Sequence, residues 1–224
     1  MTGLTDALAR IAELGGPVVL LLIVIAIVTL AVTLYKLWQF AEAGVGRHRE
    51  LGASIAAWDR GDRVEAHRAL DRSRSYLAPV VEMAFASPDG PEATTRLMAE
   101  AETRFAGLER GLRLLDSVAQ LAPLLGLFGT VLGMIGAFQS LQDAGAQVDP
   151  SILAGGIWVA LLTTAVGLAV AMPTAAVLSW LESRMDAERV FAERAISTAR
   201  VPTGEAALPD TRTAFVPDGS TARV

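Results

Sequence analysis

Three long stretches without Asp, Glu, Lys or Arg constrain the fold more than any other feature of the sequence: residues 14–35, 117–142 and 150–181. At about 1.5 Å per helical residue, the first is about 33 Å long, close to the hydrocarbon thickness of a bilayer, which is about 30 Å. The third is about 48 Å long by the same rise, so it must tilt or project beyond the lipid. The sequence therefore predicts an all-α membrane protein with three transmembrane helices.

The remaining composition excludes several classes of function. The net charge is -5 and no basic run is interleaved with aromatic residues, so no nucleic-acid partner is expected. The chain has no cysteine, which excludes disulfides and thiolate metal sites, and His48 and His67 are each expected to stand alone. No nucleophile, base and orienting residue can be assembled from the available groups. We therefore expect no metal site and no catalytic residue, and the chain is not predicted to be an enzyme.

A cleaved signal peptide is the alternative interpretation of the first apolar stretch. The segment before it carries only Arg10 as a basic residue, and the apolar run is too long for a signal peptide. Lys36 and Trp38 follow where small residues should precede a cleavage site. The sequence therefore favours a retained span.

Basic residues mark one side of the predicted spans. They follow the first span, precede the second and follow the third: Lys36, Arg47, Arg49, Arg110, Arg113, Arg184 and Arg189. The connection at residues 143–149 carries no Lys or Arg. By the positive-inside rule, the long loop and the C-terminus are predicted to be cytoplasmic, and the N-terminus and the short loop periplasmic.

These assignments divide the chain into successive segments. The three transmembrane helices are predicted at residues 14–38, 116–142 and 150–181. The N-terminus, residues 1–13, and the short loop, residues 143–149, are predicted to be periplasmic. The helical loop, residues 39–115, and the C-terminal region, residues 182–224, are predicted to be cytoplasmic. The second and third helices are expected to be long and to extend into the cytoplasm. From about residue 201, a sequence rich in Pro, Gly, Thr and Ala predicts a disordered tail.

The cytoplasmic loop is predicted to be helical, with a first turn at residues 59–61. Asp62, followed three residues later by Glu65, resembles a capping box that opens the next helix. In that helix, Ala66 and Leu70 are expected to face the core.

A second break, at residues 87–91, precedes a longer helix for which Pro91 suits the first turn. Apolar residues recur there at spacings of three and four and form one stripe: Leu97, Ala101, Phe105, Leu108, Leu112 and Leu115. Pairs of opposite charge at i,i+4 predict a solvated face, each contributing about 0.2 to 0.5 kcal/mol: Glu92 with Arg96, Glu100 with Arg104, and Glu109 with Arg113. We expect this helix to continue without a break into the second span.

The second and third spans carry faces of small residues, unlike the first. The residues of these faces recur every three or four positions: Gly126, Thr130 and Gly133 in the second span, and Ala160, Thr164, Gly167 and Ala171 in the third. Gly129 and Gly133 form a GxxxG pair, a motif that lets helix backbones approach closely. The predicted helix-packing residues are therefore Gly126, Gly129, Gly133 and Gly167.

Two interpretations of the threonines in these spans remain open. In one, the faces are packing seams and each hydroxyl bonds a carbonyl three or four residues back. In the other, Thr130, Thr163 and Thr164 line a water-accessible path that avoids the cost of a buried charge. Because the spans contain no ionisable residue, a proton-coupled machine would need a carboxylate from another subunit. Pro123 and Pro173 also lie within the spans, where each frees a carbonyl and can kink its helix.

Residues 121–133 and 155–173 resemble the two signature stretches of the MotA/TolQ/ExbB proton channel family. They read Leu-Ala-Pro-Leu-Leu-Gly-Leu-Phe-Gly-Thr-Val-Leu-Gly and Gly-Gly-Ile-Trp-Val-Ala-Leu-Leu-Thr-Thr-Ala-Val-Gly-Leu-Ala-Val-Ala-Met-Pro. The resemblance is close over residues 109–185, and the topology extends it over most of the chain but not the tail. The three-span layout argues against the MotA type, which has four spans; ExbB and TolQ are both compatible with the chain, and ExbB is favoured.

The resemblance implies a homopentamer in the bacterial inner membrane around two copies of a single-span partner, similar to ExbD or TolR. A membrane aspartate of that partner would carry the proton, which is the coupling ion, and no cofactor is implied. The two pore threonines of the family correspond to Thr130 and Thr164. Proton passage would move the partner and energise outer-membrane transport through a TonB-like protein, or envelope maintenance through a TolA-like protein of a Tol-Pal system.

One position departs from the family pattern. Many ExbB and TolQ proteins carry a glutamate five residues before the second pore threonine, and this chain has Val159 there. Either that carboxylate is dispensable, or this member works differently. A structural membrane scaffold that has lost conduction is therefore the alternative function, from a different class.

Overall fold

The computed structural model describes residues 2–88, 90–143 and 150–204, with side chains from residue 16 onward except at position 152. The described residues form seven helices and no strand: α1 Thr2–Glu42, α2 Arg49–Asp59, α3 Arg63–Arg72, α4 Ala78–Ala86, α5 Pro91–Glu109, α6 Leu112–Asp143 and α7 Pro150–Arg200. Three segments are long and apolar enough to cross a membrane: Gly16–Glu42, Leu112–Asp143 and Leu153–Arg200. The predicted all-α membrane fold with three spans is confirmed.

Internal contacts divide the chain into two compact units. One, the membrane unit, comprises Met1–Glu42 and Phe105–Ala187. The other, the loop unit, comprises Ala43–Arg104 and Glu188–Val224.

In the membrane unit, α1 packs against α6. Leu22 is fully buried in a cluster with Ala122 of α6 and Ala171 of α7, and valines from all three helices surround it. The opposite face of α1 is exposed, as at Ile27 and Leu30. The first span therefore buries one stripe against the protein and leaves the other for lipid.

The start of the first span is set by its backbone. Gly16 has a φ of 66° and a ψ of -174°, which interrupts α1 with a kink. Pro17 follows, in the first turn of the span, where its missing N–H removes no helical hydrogen bond.

The predicted continuation of α5 into the second span is wrong. Gly111 has a φ of 89°, so α5 ends at Glu109 and α6 starts at Leu112. The Lys36 side chain closes this break, because its ammonium donates to the Leu108 carbonyl at 2.9 Å and to Gln39 Oε1 at 2.7 Å. Leu108 lies in the last turn of α5, where carbonyls lack helical partners and a cation is favoured.

In the loop unit, α2 and α3 pack closely, and the first predicted turn is confirmed. The α2 helix ends at Asp59, and Gly61 has a φ of 82°. The Asp62 side chain caps α3 by accepting the N–H of Glu65 at 3.0 Å. Ala66 and Leu70 are both buried, as predicted.

The second predicted break and the apolar stripe that follows it are confirmed. Helix α4 ends at Ala86 and α5 begins at Pro91. All six stripe residues are buried, although the last two belong to α6. Of the predicted ion pairs, Glu100 and Arg104 meet at 3.0 Å on the half-exposed face of α5.

Residues 201–204, just after α7, are bonded to the end of α2. Asp59 accepts the N–H of Thr203 at 2.8 Å and its hydroxyl at 2.9 Å, and these bonds hold the pKa of Asp59 below its ordinary value. The Asp59 carbonyl accepts the N–H of Gly204. The tail predicted to be disordered lies outside the described residues from position 205. The predicted periplasmic loop, residues 143–149, also lies outside them except for Asp143, the last residue of α6.

Candidate functional site

The seam between α6 and α7 brings the predicted packing glycines together. A Cβ at Gly126 would lie 2.9 Å from the Thr163 carbonyl oxygen, and one at Gly167 would lie 2.6 Å from the Ala122 carbonyl oxygen. At Gly133, a Cβ would lie 3.3 Å from the Cβ of Ala160. Any side chain at Gly126 or Gly167 would therefore force the two backbones apart.

Sequence reasoning missed one member of this seam. A Cβ at Gly156 would collide with the Cβ of Ala137, so α7 requires glycine there as well. The available signal was Ala137 itself, which lies four residues after Gly133 and extends the small-residue face by one turn.

Thr163 is enclosed by this seam. Its side chain is 1% exposed, and its hydroxyl donates to the Ala160 carbonyl at 2.7 Å and to the Gly126 carbonyl at 3.2 Å. The first bond lies within α7 and the second crosses to α6. Gly129 makes room for the side chain, because a Cβ there would lie 2.7 Å from the Thr163 Cβ.

Thr130 and Thr164 are half-buried, unlike Thr163. The Thr164 hydroxyl also points at the Gly126 carbonyl, at 3.4 Å. The Thr130 hydroxyl donates to the Leu127 carbonyl of its own helix at 2.6 Å. The structure thus joins Thr163 and Thr164 at one acceptor and leaves Thr130 bonded within α6, one turn beyond Gly126.

Pro123 and Pro173 lie inside α6 and α7, and both helices continue through them. Proline has no N–H, so the carbonyls of Ala119 and Ala169, four residues before each proline, lack their usual helical donor. That these prolines kink the helices stays a prediction.

The loop unit contains a buried polar cluster that the sequence did not indicate. Glu188 is 2% exposed, and its carboxylate accepts the N–H of Gly46 at 2.7 Å and the hydroxyl of Tyr76 at 2.8 Å. His48 Nε2 lies 2.7 Å from the same carboxylate, and the imidazole stacks on Phe191 with ring centroids 4.1 Å apart. The expectation that His48 stands alone is therefore wrong, because its partner lies 140 positions away in the sequence.

Burial raises the pKa of Tyr76 above its ordinary value, and its hydrogen bond to Glu188 and the negative charge of that carboxylate raise it further. Tyr76 therefore stays protonated and donates to Glu188. Within the described residues, no group of three His, Cys, Asp or Glu side chains could hold a metal ion. The cluster is thus a set of satisfied hydrogen bonds that joins α7 to the segments before α2 and α4.

Comparison with known proteins identifies the family. The model of the MotA/TolQ/ExbB proton channel family matches residues 69–193, more than half of the chain. An ExbB homolog of Methanothermobacter thermautotrophicus is 29% identical over 177 residues, which are 78% of this chain but only 62% of that protein. The chain therefore spans less than two thirds of the length of this relative.

Two further relatives bear the names of two systems. The biopolymer transport protein ExbB of Neisseria meningitidis is 29% identical over 197 residues, covering 78% of this chain and 86% of that protein. The Tol-Pal system protein TolQ of Haemophilus influenzae is 40% identical over 106 residues, covering 45% of this chain and 46% of that protein. With its three spans, its glycine seam and the match over both signature stretches, the chain belongs to the MotA/TolQ/ExbB proton channel family.

Proposed function

We propose that this chain is the ExbB-type subunit of a proton-driven motor in the bacterial inner membrane that energises TonB-dependent outer-membrane transport. Family membership supports a channel subunit, and the meningococcal ExbB aligns with more of the chain than the Haemophilus TolQ does. A TolQ-like role in Tol-Pal envelope maintenance is the second candidate, supported by the higher identity over the shorter TolQ alignment.

The hydroxyl-bearing seam of α6 and α7 is the observation that carries this proposal. Thr130 and Thr164 are half-buried hydroxyl groups on the α6 and α7 faces that also carry the close glycine contacts. Their hydroxyls can donate and accept, so they can solvate a proton or a water molecule without a buried charge.

The same spans indicate what the motor must obtain from elsewhere. Residues 117–142 and 150–181 contain no ionisable side chain, so the titrating carboxylate has to come from a partner. We propose a homopentamer around a dimer of a single-span ExbD- or TolR-like protein whose membrane aspartate carries the proton. The proton is the coupling ion, and a TonB-like or TolA-like protein receives the work.

Orientation is proposed from charge. The basic residues of the long loop and of the C-terminal region lie on one side of the spans, so we place that side in the cytoplasm and the N-terminus in the periplasm.

The proposed proton path is tested by Thr130→Val and Thr164→Val, which remove a hydroxyl at nearly constant volume. Each should reduce partner-dependent transport and proton flux in vesicles by roughly tenfold or more, as expected for one lost hydrogen bond of about 1.4 kcal/mol. Oligomer yield should be unchanged, because the close glycine contacts of the seam remain in both variants.

Thr29→Val is the matched control, since the buried Thr29 hydroxyl donates to the Ile25 carbonyl of its own helix, α1, at 2.7 Å. It should leave flux unchanged. Full activity in both seam variants would refute the proton path and favour a scaffold that does not conduct, for which Val159 is the supporting observation. An equal loss in the control would show that the effect is not specific to the seam hydroxyls, and it would contradict the proton path.

A further inference from the structure

Thr163 is buried in the membrane unit, whereas its neighbour Thr164 is only half-buried. The residue is 1% exposed, and its hydroxyl donates to both the Ala160 and the Gly126 carbonyls. Thr164, the next residue, is half-buried and reaches the same Gly126 carbonyl at the longer distance of 3.4 Å. Of these two adjacent threonines, only Thr164 is partly exposed.

The absence of a side chain at Gly129 of α6 leaves a notch that holds the Thr163 side chain. A Cβ at Gly129 would lie 2.7 Å from the Thr163 Cβ, 2.8 Å from its Oγ1 and 3.0 Å from its methyl group. The whole side chain thus fills the notch at Gly129, while its hydroxyl bonds the carbonyl of Gly126 one turn earlier. A slide of α7 along α6 by one residue, about 1.5 Å, would break the bond and drive the methyl group out of the notch.

From this geometry we propose that Thr163 is a positioning residue: it fixes the register of α7 on α6 and so holds the Thr164 hydroxyl at the Gly126 carbonyl. It is not itself a step of the proton path. The role of Thr163 in fixing the register follows from the contacts between α6 and α7. Only the expected effect on transport rests on the proposed function.

The register can be read by disulfide formation, because the chain has no cysteine of its own. Gly133→Cys with Ala160→Cys supplies the reporter, since a Cβ at Gly133 would lie 3.3 Å from that of Ala160, near the range of about 3.5 to 4.5 Å found in disulfides. The rate of crosslinking is measured in vesicles under mild oxidation, with Thr163 unchanged or substituted. Transport and proton flux are measured in parallel without the cysteines.

Thr163→Val, which keeps the volume and removes the hydroxyl, should slow crosslinking by about three- to tenfold, the range expected for one lost hydrogen bond. It should also lower transport. Thr163→Ser, which keeps the hydroxyl, should restore both readouts towards those of the unsubstituted chain. Thr174→Val is the control, because this buried α7 hydroxyl donates to Val170 of its own helix, and it should change neither readout.

Several outcomes would overturn the proposal. Unchanged crosslinking in Thr163→Val would do so, and if flux were lost at the same time the hydroxyl would belong to the proton path. Failure of serine to rescue, or absence of crosslinking when Thr163 is intact, would also contradict it. Failure of the proposed function gives a different pattern: crosslinking responds to Thr163→Val, but flux does not respond to Thr130→Val or Thr164→Val.

Discussion

Glu188 is buried in the loop unit with donors from separate segments around its carboxylate. A charge removed from water is tolerated only when it is paired and hydrogen-bonded, and Gly46, His48 and Tyr76 supply those contacts. Removing one donor would leave an unsatisfied lone pair at a cost of about 1 to 3 kcal/mol. We therefore regard this carboxylate as a structural centre of the loop unit.

Tyr76 makes the stability of the loop unit sensitive to alkaline pH. Its folded pKa is raised, so its contribution is fully present below the unfolded value of about 10 and is lost as pH rises from there towards the folded value. The melting temperature should fall over that range. It can be measured by near-ultraviolet circular dichroism, to which the stacked Trp58 and Phe85 rings contribute. Tyr76→Phe should be less stable at neutral pH and should show a flatter alkaline dependence. An unchanged alkaline slope in this variant would contradict the assignment.

The residue-scale chemistry of the site was only partly predictable. Spacings of three and four residues place Gly126, Gly133 and Gly167 on helix faces, and these faces meet in the structure. The sequence cannot distinguish Thr163 from Thr164, because burial depends on which side of α7 meets α6. The Glu188 cluster had no signal, since local periodicity says nothing about partners 140 residues apart.

At the scale of elements, the break between α5 and α6 shows how a periodic pattern can conceal a turn. Leu108, Leu112 and Leu115 remain in phase and buried across it, so the apolar stripe predicts one helix. The signal that was available is Arg110 followed by Gly111, a basic residue and then glycine, which is typical of a helix C-terminus. Where turn chemistry was weighed, at Asp62 and at residues 87–91, the predicted boundaries are confirmed.

Two alanine substitutions compare a glycine in the turn between α5 and α6 with a glycine inside α5. Gly111→Ala should destabilise the protein by roughly 1 to 2 kcal/mol, because its φ of 89° is unfavourable for alanine and the new Cβ would lie 3.3 Å from Lys36 Cε. Gly107→Ala, inside α5 with no atom within 4 Å, should stabilise by about 0.5 to 1 kcal/mol. The melting temperatures of the two variants and of the unsubstituted chain are compared in the same detergent. Effects of the same sign would contradict the left-handed turn.

At the scale of the whole molecule, a single copy leaves large apolar surfaces open. Exposed side chains on α6 and α7 include large aliphatic and aromatic residues: Leu121, Leu124, Leu127, Phe128, Phe138, Trp158, Leu161 and Met172. Lipid and neighbouring subunits are the environments that would cover such surfaces. The sequence predicts the spans and hence these surfaces, but it cannot divide them between lipid and protein, because both environments are apolar.

We expect a tagged copy of this chain, expressed with a neighbouring gene that encodes one apolar span containing an aspartate, to copurify with that product. Native mass spectrometry should show a homopentamer carrying a dimer of the partner. Replacing the partner aspartate with asparagine should keep the complex and abolish flux. Association with a TonB-like rather than a TolA-like protein would decide between the two proposed systems, and a chain that purifies alone would argue against a motor.

Lys36 has a consequence for the order in which the molecule is made. Its ammonium is buried against a carbonyl 72 residues further along the chain, a segment that does not exist when α1 leaves the ribosome. At about 5 to 20 residues per second, roughly 4 to 14 seconds of synthesis separate the two. During that interval the cation has to remain hydrated at the membrane surface, which holds the end of α1 there. Lys36 can therefore be buried only after α5 has been synthesised, and the contact of Leu22 with Ala171 of α7 has to form later still.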